Sequence, residues 1–102
     1  MVLIFTTAPD LKTAERLAYS LIRQKLAACV SVKTGFTSVY RWEGKIKKTK
    51  ETLLLIKSSK AKFIKLKKYI GRIHPYEVPE IIALPVTQAA PEYLAWLHRA
   101  LK

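Results

Sequence analysis

The sequence predicts an α+β domain of the ferredoxin-like type, a βαββαβ sandwich followed by an added C-terminal helix. Three observations predict it: short β-rich apolar runs alternate with helical stripes, a glycine turn lies mid-chain, and a last apolar stripe follows Pro91. The 102 residues make one domain over 1–102, without linker or repeat. Half of the residues are hydrophobic, so a core is expected, although a chain this short often gains stability by oligomerising.

The chain begins with a predicted strand and a predicted helix. Residues 2–5 are a short apolar run rich in β-formers, and residues 6–9 are predicted to end this strand. Asp10 is a candidate N-cap for a helix over roughly residues 11–25. The apolar stripe of this helix comprises Ala14, Leu17, Ala18, Leu21 and Ile22.

A long hairpin is predicted for the middle of the chain. Residues 27–32 read as a second strand, which continues to Trp42 after a bend or bulge at Gly35. Gly44 supplies the positive φ of a tight turn, and a basic segment follows it. Residues 52–56 are a leucine-rich strand suited to the centre of the sheet. Strands of this length are expected to project beyond the body of the domain.

The second half repeats the alternation of helix and strand. Ser58 or Ser59 is predicted to cap a helix with the apolar stripe Phe63, Leu66, Ile70 and Ile73. Residues 81–86 form a strand, and Pro85 within it indicates an edge position. Pro91 opens the third helix, with Tyr93, Leu94, Leu97 and Leu101 along one side.

The positive charge is concentrated in one region. The formal net charge is +12, and residues 41–72 contain twelve of the 19 lysines and arginines but only two of the seven acids. This asymmetry indicates an anionic partner: nucleic acid, an anionic surface or an anionic small molecule. The alternative is a solvated lysine-rich face. Lysine predominates and basic residues do not alternate with aromatic ones, whereas proteins that read bases favour Arg, Asn and Gln, so nucleic acid is the less favoured partner.

The single cysteine, Cys29, excludes an internal disulfide framework and a closed all-thiolate zinc site. A reducing compartment is the simplest setting, and we expect a cytoplasmic protein. The first apolar run is too short for a secretion signal. No run approaches the roughly 18–20 apolar residues of a membrane span, so we expect no membrane partner.

The segment of residues 74–80 offers the most promising side chains for a functional site. Pro75 and Pro79 fix their own φ and push His74 and Val78 into extended conformations. The result is a stiff elbow that presents an imidazole, a phenol and a carboxylate. Two interpretations stay open: a candidate site, or a structural elbow in which Tyr76 packs and His74 caps the end of a helix.

The sequence carries no established catalytic motif: no dinucleotide fingerprint, no P-loop, no nucleophile elbow and no Cys-x-x-Cys. His74 and Glu77 are the one acid/base pair to consider, but no nucleophile or cofactor motif supports it, so we expect neither an enzyme nor an organic cofactor. His74 and Cys29 are ligand types that suit copper or zinc. Two ligands are too few for the usual site, so an oligomer would have to bring equivalent side chains together.

Five segments, in order along the chain, resemble motifs of the CutA divalent-cation tolerance family. They are Thr-Ala-Pro-Asp at 7–10, Leu-Ala-Ala-Cys-Val at 26–30, Ser-Val-Tyr-Arg-Trp-Glu-Gly-Lys at 38–45, His-Pro-Tyr-Glu-Val-Pro-Glu at 74–80 and Tyr-Leu-Ala-Trp-Leu at 93–97. The resemblance spans nearly the whole chain.

This resemblance implies a homotrimer of ferredoxin-like subunits with strands paired between subunits, similar in architecture to the PII signalling proteins. It implies a metal- or small-ligand-binding or signalling protein that acts in tolerance to divalent cations, copper above all, without evident catalysis. The positions it assigns to inter-subunit clefts are Tyr40, Trp42, Lys57, His74, Tyr76 and Glu77. It makes His74 the first candidate metal ligand, with Cys29 inside its strand as the second. The alternative function is a basic module that binds anions or nucleic acid through the Lys-rich region 41–72.

Overall fold

The computed structural model describes residues 1–102. Its elements are β1 (Val2–Ala8), α1 (Leu11–Arg23), β2 (Cys29–Trp42), β3 (Lys45–Ser58), a 3₁₀ turn (Lys60–Lys62), α2 (Phe63–Ile73), β4 (Ile82–Pro85) and α3 (Pro91–Ala100). This order confirms the predicted βαββαβ unit with an added C-terminal helix. No helix has the length and apolar content that a membrane crossing needs.

The four strands form one antiparallel sheet in the order β2-β3-β1-β4. The leucine-rich part of β3 lies in the centre, as predicted, because it pairs with both β1 and β2. β4 is an edge strand, which agrees with Pro85, since proline cannot donate a hydrogen bond to a further strand.

The first strand is longer than the sequence predicts. Residues 6–8 were expected to end it, but β1 continues through Ala8, and all three residues are buried. They pair in register with Leu54, Leu53 and Thr52 of β3. The prediction was wrong because threonine is compatible with both strand and loop, and pairing with a central strand decides between them.

The β2–β3 hairpin consists of two strands of 14 residues each. Gly35 has a φ of +84° at the predicted bulge, where the register shifts between Lys33 and Phe36. Glu43 and Gly44 both have positive φ, which is the backbone of a type I′ turn. Because β1 pairs only with the second half of β3, residues 36–51 project as a two-stranded arm, called the outer arm below.

α1 and α2 cover one face of the sheet, and the core lies between these two helices and the sheet. Asp10 caps α1 as predicted, since its Oδ1 accepts a 2.7 Å hydrogen bond from the Thr13 N–H. α1 ends at Arg23, two residues earlier than expected. Of the two serine candidates, Ser59 caps the 3₁₀ turn before α2, whereas the Ser58 hydroxyl donates to the Leu26 carbonyl.

The opposite face of the sheet has neither α1 nor α2 over it and is called the open face below. Strand alternation assigns to it Leu3, Phe5, Cys29, Ser31, Leu55, Lys57, Ile82 and Leu84, and on the outer arm Phe36, Tyr40 and Trp42. Ile82 and Leu84 are 50% and 47% exposed, and Trp42 is 41% exposed. The open face therefore carries exposed apolar side chains in one chain, while Leu53 on it is buried and Tyr93 of α3 lies beside Cys29 at one end.

Candidate functional site

The elbow begins where α2 ends. His74 is the C-cap residue of α2: its N–H donates to the Ile70 carbonyl at 2.8 Å, and its φ and ψ of −75° and 138° are extended. The extended conformation agrees with the restriction that Pro75 places on the preceding residue. The chain thus leaves the helix layer in one step and turns around the end of β1 toward the open face.

The imidazole of His74 is buried, with 8% of its surface exposed. Nδ1 accepts a hydrogen bond from the Tyr76 N–H at 3.0 Å. Nε2 therefore carries the proton, and it donates to the Thr7 carbonyl at 2.7 Å. Both ring nitrogens are engaged, so His74 fastens the end of α2 to the end of β1 and leaves no free lone pair for a metal ion.

Tyr76 joins the elbow to the sheet. Its ring packs against that of His74 at 4.7 Å between centroids, and its hydroxyl donates to Glu51 Oε2 at 2.8 Å. Burial, together with the hydrogen bond to the carboxylate, raises the pKa of Tyr76. Burial also acts to raise the pKa of Glu51, but hydrogen bonds from Ser38, Tyr76 and Thr7 outweigh it and hold that pKa below its usual value. The pair is therefore a neutral phenol donating to an ionised carboxylate.

A cleft of about 390 Å³ lies between the elbow and the outer arm. Its lining comprises Tyr40, Trp42, Thr49, Pro75, Tyr76, Glu77 and Val78. Four of the predicted cleft residues are thus brought together. The fifth, His74, lies beneath them against Tyr76, and the sixth, Lys57, lies elsewhere. A cleft with aromatic walls and the Glu77 carboxylate in its lining suits a small ligand or a partner side chain.

Lys57 belongs to a second polar cluster on the open face. It pairs with Cys29 across β2 and β3; its Nζ donates to Ser31 Oγ at 2.6 Å and lies 3.8 Å from Cys29 Sγ. Burial raises the pKa of Tyr93, and the neighbouring Cys29 adds to this effect. Lys57 is thus a basic neighbour of Cys29, although the two residues are far apart in the sequence.

The predicted metal ligands, His74 and Cys29, are not brought together within the chain. His74 contacts Thr7, which pairs with Leu53, whereas Cys29 pairs with Lys57. Leu53 and Lys57 are four positions apart on β3, so the two candidate ligands lie about 13 Å apart along the strand. No three His, Cys, Asp or Glu side chains converge anywhere in the chain. The residues of the single chain do not fit a resident metal centre.

Glu51 is the site residue that sequence analysis missed, and its role is testable by pH. A carboxyl group with a lowered folded-state pKa stabilises the protein above its unfolded pKa, and this contribution is lost as the pH falls through the folded value. We expect Glu51→Gln to lower the free energy of unfolding by about 1–3 kcal/mol at pH 7, and the deficit to shrink below about pH 4.5. Urea unfolding of both proteins at pH 7 and pH 3.5 measures this.

Glu15→Gln is the matched control, because Glu15 is exposed on α1. Its effect is expected to stay within about 0.5 kcal/mol at both pH values. A Glu51→Gln deficit that does not change with pH would contradict the ionised state assigned to this carboxylate.

Known proteins match this chain over nearly its whole length. Residues 2–100 match the family model described as CutA1 divalent ion tolerance protein. The divalent-cation tolerance protein CutA of Thermus thermophilus is 43% identical over 95 residues, which are 93% of this chain and 92% of that protein. The chloroplastic protein CutA of Arabidopsis thaliana is 39% identical over 101 residues, 99% of this chain but 56% of the longer relative. The crystal structure of CutA from Xylella fastidiosa superposes with a TM-score of 0.96 at 42% identity, covering 99% of this chain and 97% of that one. The chain therefore belongs to the CutA1 divalent ion tolerance protein family.

Proposed function

We propose that this protein acts in divalent-cation tolerance as a homotrimer whose subunits meet at their open faces, with the elbow cleft at a subunit boundary. The apolar open face is the observation that carries the proposal. An antiparallel sheet commonly has one face in the core and a polar face in water. Here much of the second face is apolar as well, and an exposed apolar patch of this kind marks an interaction surface.

The edges of the sheet support association of like chains. β2 and β4 are edge strands with unpaired backbone groups on one side, and the outer arm extends β2 well beyond the body of the domain. Such edges pair readily with strands of another copy. Tyr40 and Trp42 on the arm supply the large aromatic surface that dominates interface energies. A closed ring of three copies would cover these edges and the open face together.

In this proposal, the trimer creates the binding site for the divalent cation. Because His74 and Cys29 lie apart and His74 has no free lone pair, a divalent cation, copper included, would have to be held by side chains from more than one subunit. The engagement of His74 also supports a binding role without acid/base catalysis, since Glu77 has no free imidazole partner. We place the protein in the cytoplasm, because a single free cysteine suits a reducing compartment.

Light scattering combined with calorimetry tests the proposal. We expect the mass of three 11.6 kDa chains at micromolar concentration, and saturation by Cu(II) or Zn(II) at an integral ratio per trimer. A stable monomer would contradict the assembly. A trimer that binds neither ion below millimolar concentration would contradict the cation site and leave the assembly in place.

A further inference from the structure

A groove between α1 and α2 lies on the side of the molecule opposite the open face. Two adjoining cavities of about 300 Å³ each form it, and both are lined by Tyr69. The α1 side is formed by Thr13, Arg16, Leu17, Ser20 and Gln24, and the α2 side by Lys65, Lys68, Tyr69, Arg72 and Ile73, with Leu26 at one end.

The groove carries positive charge that no carboxylate in its lining offsets. Lys65, Lys68 and Arg72 lie at positions i, i+3 and i+7, and therefore on one face of α2. Arg16 of α1 lines the other cavity and lies near the Asp10 carboxylate, and none of the lining residues is acidic. No acid occurs between residues 52 and 76 of the sequence either. Like charges on neighbouring turns of a helix repel, so an anion bound in the groove would relieve a cost already present.

Two contacts hold the groove in shape. The Tyr69 hydroxyl is hydrogen-bonded to the Ser20 hydroxyl, which joins α2 to α1 across the groove. The Arg72 guanidinium lies over the Tyr69 ring, 5.7 Å from its centroid. A guanidinium held on an aromatic face loses less freedom when it binds a ligand, and its planar fork matches the oxygens of a phosphate.

The Lys-rich region 41–72 is not one surface. Its lysines at residues 45–50 lie on the outer arm, on both faces of a two-stranded ribbon, whereas those of α2 lie in the helix layer. α2 has 11 residues and β3 has 14, so the helix spans about 16 Å and the strand about 46 Å. The arm therefore extends past the helix layer, and the two basic sets do not form a continuous track for a nucleic-acid backbone.

We propose that the α1–α2 groove binds a small anion carrying two or three phosphate groups, held by Lys65, Lys68 and Arg72. The size of the groove, its concave shape and the fixed guanidinium favour a compact phosphorylated ligand over a long polyanion. The site is separate from the elbow cleft and needs no second subunit.

Calorimetric titration with inorganic triphosphate in 150 mM NaCl tests this site. The wild-type protein is expected to bind one triphosphate per chain. The triple variant Lys65→Gln, Lys68→Gln, Arg72→Gln is expected to bind at least tenfold more weakly. The matched control Lys47→Gln, Lys48→Gln, Lys50→Gln removes the same charge from the outer arm and is expected to stay within about twofold of the wild type. Far-UV circular dichroism and light scattering confirm that both variants keep their fold and mass.

Three results would overturn the proposal. The first is an absence of saturable binding in 150 mM NaCl, and the second is equal weakening by the two triple variants, which would indicate net charge alone. The third is an unchanged affinity of Arg72→Lys, which keeps the charge but loses the fork and is expected to bind at least threefold more weakly. Titration with ATP separates the source of the phosphates: affinity equal to that of triphosphate supports recognition of the phosphates alone. A short DNA duplex that binds more tightly than triphosphate, with equal loss in both triples, would favour nucleic acid instead.

Discussion

Replacing His74 with alanine is expected to lower the free energy of unfolding by about 2–4 kcal/mol. The substitution leaves a cavity at a position that is 8% exposed. It also removes the partners of the Thr7 carbonyl and the Tyr76 N–H, and the ring on which Tyr76 packs. Buried polar groups left without partners cost more than the net value of the bonds that are lost. Urea unfolding at pH 7 and one fixed protein concentration measures the change, because the stability of the proposed trimer would depend on concentration.

The chain supplies its own control for this experiment. His98 is the second histidine, exposed on α3, and His98→Ala is expected to change stability by less than about 0.5 kcal/mol. If the two substitutions have equal effects, the imidazole of His74 does not fasten α2 to β1 as described. If His74→Ala is as stable as the wild type but loses a saturable metal titration, His74 is a ligand and its hydrogen bonds are incidental.

Local signals in the sequence were enough for the outline of the fold. Asp10 could be recognised as an N-cap, because an aspartate directly before an apolar helical stripe commonly caps the first turn of that helix. Gly35 and Gly44 were recognisable as a bulge and a turn, because positive φ is rare for other residues. Pro85 indicated an edge strand, because it lacks the N–H that a second neighbour would need. Each of these inferences depends on one residue and its immediate neighbours.

The polar centre of the site could not be predicted in the same way. Glu51 is one of two acids in the lysine-rich region 41–72, and its partner Tyr76 is 25 positions away. Lys57 and Cys29 are 28 positions apart and meet only through the register of β2 and β3. A shift of one residue in that register would place them on opposite faces of the sheet. Contacts of this kind depend on pairing between distant strands, which neither spacing nor composition specifies.

The elbow illustrates how the two kinds of information combine. The prolines at 75 and 79 predicted a stiff segment, and the extended backbone of His74 agrees with that. Whether its polar groups were free or used in structure depended on Thr7 and Glu51, which contact the elbow only after folding. The imidazole is used in structure, whereas Glu77 stays exposed at the cleft. A motif can therefore be rigid for structural reasons and still position a neighbouring group for binding.

Leu84→Asp is expected to convert the proposed trimer into single chains. Leu84 is 47% exposed on the open face of the edge strand β4, so in an isolated chain the substitution should cost little. In a trimer it would bury three unpaired carboxylates, one at each equivalent interface. Removing a charge from water without a partner costs several kcal/mol, and 4 kcal/mol corresponds to roughly a thousandfold weaker association. Light scattering from 1 to 100 μM, with circular dichroism at the same concentrations, would show the mass of one folded chain.

Ile64→Asp separates this effect from a general response to a new surface carboxylate. Ile64 is 61% exposed on α2 and faces a cavity that it shares with Ala83 and Pro85 of β4, on the side of that strand opposite the open face. Because the proposed subunits meet at their open faces, Ile64→Asp is expected to keep the wild-type mass. If both variants keep that mass, the open face is not the interface, since no interface could accept Leu84→Asp at three equivalent places. If Ile64→Asp alone dissociates, the subunits meet through the helix layer, and the elbow cleft would then lie outside the interface.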